Sequence, residues 1–135
     1  MPTGQLTKVR PAFRAAAEVF IPETAAADPD TWRRLEEIVE GAIAGRPPRV
    51  RRQILLLIRM LDAIALARHG RRLSRLDFAR RTALLERLSS SRMLLLRRGI
   101  WGLRTLVQMG WYAQPEIQRQ LGYRASIAGW GEAVR

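Results

Sequence analysis

The sequence predicts an all-α fold, a compact bundle of five or six helices in a single domain covering residues 1–135. Three observations carry this expectation. Every long segment repeats its apolar residues at three- and four-residue steps, and no run of β-branched residues alternates with a period of two. Helix punctuation also falls between those segments: Pro22, Asp28-Pro29, Gly45 with Pro47-Pro48, Gly70, and Ser89-Ser90-Ser91. A chain of 135 residues can bury roughly 65–70 % of its unfolded surface, enough for one core without staples.

The elements follow in order. Pro11 suits the first turn of a helix carrying Phe13, Ala16, Ala17 and Phe20, and Pro22 stops it. Asp28-Pro29 then reads as an N-cap followed by proline at the first helical position, with Trp32, Leu35, Ile38, Val39 and Ala42 on one face and Gly45 at the end. On this second helix Glu36, Glu37 and Glu40 read as a solvated acidic face. Pro47 and Pro48 open a third helix whose first turns, with Arg49, Arg51 and Arg52, oppose the helix dipole. Its continuation QILLLIRMLDAIALA is apolar nearly all round, as expected of a central core helix, with Arg59 one turn earlier able to pair with Asp62.

Ser74 and Asp77 form a Ser-x-x-Asp start for a fourth helix with Phe78, Leu84, Leu85 and Leu88, broken at Ser89-Ser90-Ser91. The fifth runs from there to about Tyr112. Leu95, Trp101 and Leu103 lie on turns different from Leu96, Ile100 and Val107, so one side can face the domain and another a partner. Gly99, Gly102 and Gly110 interrupt this helix, each at about 1 kcal/mol relative to alanine, which implies close helix approach or room for Trp101 and Trp111. Pro115 opens a last short helix ending at Gly122-Tyr123. Residues 124–135 form a Gly-rich tail, expected to be partner-held or flexible.

Residue types that perform chemistry are scarce. There is no cysteine, which excludes disulfides and thiolate metal sites, and the single histidine, His69, precedes the helix-terminating Gly70, where a cation complements the dipole. Neither Gly-x-Gly-x-x-Gly nor a P-loop occurs. No catalytic, metal-binding or cofactor-binding residue is therefore assigned. The apolar stretches Ile54–Ala67 and Met93–Tyr112 contain Arg59 and Asp62, and Arg97, Arg98 and Arg104, against about 20 largely uncharged residues needed for a transmembrane span. The N-terminus has no apolar leader core, so the cytoplasm is expected, or the periplasm through export with a partner that carries the signal.

What the chain has in excess is large apolar surface in its last third, which predicts a subunit covered by another protein. Trp101, Trp111, Tyr112, Tyr123 and Trp130 are the expected interface anchors, tryptophan and tyrosine being frequent hot spots. The competing expectation comes from charge. The net charge is +12, and residues 46–104 hold sixteen arginines against three acids. Such a block could neutralise phosphates of a nucleic acid, although its arginines are spread over three helices without helix-turn-helix spacing.

The segment RRLSRLDFARRTALLERLSSSRMLLLRRGIWGLRTLVQMGWYAQPEIQRQLGY, together with FRAAAEVFIPET near the start, resembles the gluconate 2-dehydrogenase subunit 3 family, the small helical subunits that accompany glucose-methanol-choline flavoproteins. The marks are Ile21-Pro22, Ser74, Leu76, Ser91, Trp111-Tyr112, Pro115 and Gly122-Tyr123. The resemblance implies a non-catalytic accessory subunit of a heteromeric FAD-dependent alcohol or sugar dehydrogenase or oxidase. Flavin, catalytic base and substrate pocket would then belong to the large subunit, and this chain would support its folding, stability or export. An obligate interface of that kind buries more than about 2,000 Å².

Overall fold

The computed structural model describes residues 6–119. They form five α-helices: α1 (Arg10–Phe20), α2 (Pro29–Ala44), α3 (Pro48–His69), α4 (Phe78–Ser89) and α5 (Leu94–Tyr112). Short 3-10 turns occupy Thr7–Val9, Pro22–Ala26 and Leu73–Arg75, residues 115–119 are again helical, and the described residues contain no strand. The fold is all-α.

The centre of the bundle is α1. Phe13, Ala12, Ala15, Ala16 and Ala17 are all buried, and the helix touches α3, α4 and α5 as well as all three 3-10 turns. Alanine side chains let a backbone lie close to several neighbours at once, which a helix of leucines cannot do. This corrects the expectation that α3 is the central helix. α3 buries only Leu57, Ile58, Leu61 and Ala65, leaving Leu56, Met60 and Leu66 exposed. Its leucines are too numerous for the one side that its neighbours cover.

α2 begins as its sequence dictates. Asp28 is extended, and its Oδ1 accepts the Thr31 N–H at 2.7 Å while Pro29 occupies the first helical turn. The bond from the Thr31 backbone holds the Asp28 carboxyl below its ordinary pKa. A depressed folded-state pKa contributes stability above the unfolded value and loses it as pH falls through the folded one. Asp28→Ala is thus expected to lower the melting temperature at neutral pH, with the difference from the parent shrinking in acid as Asp28 protonates. Thermal unfolding across a pH series checks this.

The acidic face of α2 is not solvated as expected. Glu36 and Glu40 are buried, and Glu37 alone of the three remains outside, 4.0 Å from Arg33. The N-terminal segment supplies the donors: Arg10 Nε and Arg14 Nη2 reach the two Glu36 oxygens at 2.7 and 2.8 Å, and the Leu6 N–H donates to Glu40 Oε1 at 2.9 Å. Arg14 also lies 4.9 Å from the centre of the Trp32 ring. These contacts fasten the start of the chain to α2. Glu40→Ala, which strands the Leu6 N–H, is expected to cost about 1–2 kcal/mol in chemical denaturation, and Glu40→Gln, which keeps an acceptor, less than about 1.

Two further local expectations are corrected. Asp62 is not paired with Arg59 among the described residues; its Oδ1 accepts the Leu73 N–H at 3.1 Å. Gly70, at φ 70°, turns the chain back on α3 and brings the 3-10 turn under that carboxylate. The cap of α4 is Asp77 itself, whose Oδ1 accepts the Arg80 N–H at 2.9 Å, while Ser74 lies in the preceding 3-10 turn and Phe78 faces outward. α4 ends where expected: the Ser89 and Ser90 hydroxyls donate to the Glu86 carbonyl, competing with further helix.

α5 packs most extensively on α2. The contact is close because Gly110 has no side chain: a Cβ there would lie 3.0 Å from Val39 Cγ2 and 3.1 Å from the Leu35 carbonyl oxygen. Gly99 similarly admits Leu57 of α3.

Candidate partner-binding face

α5 contributes Ile100, Leu103, Leu106, Val107, Gly110 and Trp111 to the core. The opposite arc carries Leu94, Leu95, Arg98, Trp101, Gly102, Thr105, Met109 and Tyr112, all exposed. At about 3.6 residues per turn these eight share a continuous strip of about 120°. A helix that faces water presents polar and charged residues there; this strip has a single charge, Arg98, with the exposed Arg97 about 40° beyond its edge. Leu95 is 84 % exposed, and Met93, just before the helix, is exposed too. On α3, the helix whose Leu57 meets Gly99, Leu56 and Met60 are exposed as well.

Trp101 is held rather than loose. Its Nε1 donates to the Ser89 carbonyl at 3.2 Å, bridging to the end of α4, and the Arg104 guanidinium stands 5.1 Å from the ring centre. Half of the residue (49 %) stays accessible. An aromatic already fixed in place loses little conformational entropy on being covered.

Of the five anchors expected from sequence, Trp101 and Tyr112 lie on this strip. Trp111 does not: at 8 % exposure it belongs to the core. Leu103, grouped with the outward residues, is buried as well. Tyr123 and Trp130 lie outside the described residues. Sequence reasoning passed over Leu94, Arg98, Thr105 and Met109 as members of the face. For all but Leu94 the signal was the spacing of positions 95, 98, 102, 105, 109 and 112, a three-four alternation parallel to the inward set of the partly buried Leu96 and the buried 100, 103, 107 and 110.

Charge is distributed unevenly over the remaining surface. Of the sixteen arginines in residues 46–104, thirteen are exposed. Among the described residues only Arg81 of that block reaches a carboxylate, Glu18 at 2.7 Å. Of the three acids in that block, Asp62 accepts the Leu73 N–H, Asp77 caps its own helix, and the exposed Glu86 forms no ion pair among the described residues. Among the described residues no group of three or more His, Cys, Asp or Glu is placed to hold a metal ion, and no helix is long and apolar enough to cross a membrane.

The fold and this strip define a helical bundle with one unusually apolar outer face. No protein-family model matches the chain, and neither does any curated protein or solved structure.

Proposed function

We propose that this chain is a non-catalytic accessory subunit that docks on a larger protein through the outer face of α5. The observation that carries the reading is that strip of eight exposed residues with one charge, anchored by a pre-positioned Trp101. The resemblance noted in the sequence supplies the partner: the large subunit of an FAD-dependent alcohol or sugar dehydrogenase or oxidase, with FAD bound there and none by this chain alone. The product is a hetero-oligomer in the cytoplasm, or in the periplasm where the large subunit bears the export signal.

The test is to purify the tagged chain from its host and record the composition and visible spectrum of the eluate. A stoichiometric larger protein with flavin absorbance supports the proposal. Recovery of a colourless larger protein removes the flavoprotein assignment, and recovery of the chain alone removes the subunit reading altogether.

A second reading, binding to nucleic acid, is favoured by one observation, the exposed arginines that no described carboxylate neutralises. It predicts affinity for DNA or RNA that falls by orders of magnitude between low and physiological salt. No binding at low salt would end it.

A further inference from the structure

We infer that the occupant of the α5 face is an acidic amphipathic helix of the partner protein, seated over Gly102; this rests on the accessory-subunit reading above. Three observations converge. First, positions 95, 98, 102, 105, 109 and 112 follow the three-four alternation of a helix-packing seam, extending over about 26 Å at 1.5 Å per residue. Second, Gly102 lies in the middle of that seam, and no described residue comes within 4 Å of where a Cβ would stand. Gly99 and Gly110 each make room for a neighbour within this chain, whereas Gly102 makes room only outward. A glycine weakens a helix interior, and here the space it leaves is a saddle between Leu95, Arg98, Thr105 and Met109 into which a second helix can settle.

Third, the charges select the partner. α5 contains no acidic residue; its charged groups are Arg97, Arg98 and Arg104, two of them at the N-terminal end, where cations oppose the helix dipole. A covering helix therefore gains most by placing Glu or Asp beside Arg97 and Arg98 and apolar side chains over Leu95, Met109 and Tyr112. The α5 of a second copy of this chain would supply no carboxylate to meet Arg97 and Arg98. The strip offers a nucleic acid a single cation, Arg98, near its N-terminal end, and a lipid surface has no use for a central saddle.

The experiment compares the parent with Gly102→Leu in the full chain, purified from the host as above, and places a photo-crosslinking residue at Thr105 in the parent. Leucine at 102 meets open space and improves helix propensity, so the isolated variant should melt at the same temperature or a few degrees higher. Retention of the larger protein should fall at least about tenfold. The crosslink should fall in a helical segment of that protein with apolar residues at three-four spacing and flanking acids, and changing those acids to lysine should weaken the complex. A parent that retains its partner while Gly102→Leu retains it equally would overturn the saddle and leave the subunit reading standing. A parent that retains no partner overturns both. Crosslinks to lipid, to nucleic acid or to another copy of this chain overturn the inference.

Discussion

Phe13→Ala is expected to destabilise the protein by about 3–5 kcal/mol, the range for truncating a fully buried phenylalanine. Phe13 is wholly buried in α1 among Ala12, Ala16 and Ala17, on the helix that touches α3, α4 and α5. A cavity there can close only by moving several helices together. Since domains of this size are stable by about 5–15 kcal/mol, the loss would remove much of the total. Leu56→Ala, on the exposed side of α3, is the companion measurement, and its effect should stay within about 0.5 kcal/mol. Urea midpoints of the two variants against the parent decide the matter. If Leu56→Ala proved the more damaging, α3 rather than α1 would hold the centre.

Gly110→Val should cost about 3 kcal/mol, toward the upper end of what overpacking removes. The first carbon added at Gly110 meets Val39 Cγ2 and the Leu35 carbonyl oxygen, and the latter is backbone of α2 and cannot swing aside. The helices must separate, opening the most extensive helix contact in the bundle. Alanine adds only the first of those carbons and regains about 1 kcal/mol of helix propensity, so a net loss of about 1–2 kcal/mol is expected. At Gly99 the obstacle is the end of the Leu57 side chain, which can turn, and alanine there should be tolerated far better. Denaturation of Gly99→Ala, Gly102→Ala and Gly110→Ala in parallel should rank Gly110 as the damaging position and Gly102 as the stabilising one.

Much of the helix layout was legible because the signals are local. Asp28-Pro29, Gly45 and Gly70 each act on the backbone within one turn, and α2 and α3 begin and end beside them. Side-chain partners were less legible. Glu36, Glu37 and Glu40 look alike in sequence, yet Glu36 and Glu40 are claimed by Arg10, Arg14 and the Leu6 N–H, donors 22 to 34 positions earlier. Asp62 had an obvious partner in Arg59, but the turn at Gly70 delivered a backbone N–H instead.

The candidate face shows the same division. The broad apolar coverage of α5 announces that two surfaces want cover, but periodicity alone does not say which of Trp101 and Trp111 turns inward. The approach of α2 at Gly110 decides it, burying Trp111 one position further along and leaving Trp101 tied to the end of α4.

The sequence by itself determined the all-α class, the main helix boundaries and the scarcity of residues for chemistry, because propensity, capping and composition act through neighbours in the chain. Only the tertiary structure decided that α1 is the centre, that Glu36 and Glu40 are buried, and that the other described residues leave the outer strip of α5 exposed. Those outcomes depend on which helix the small residues allow closest, a property of the packed bundle and of no single segment.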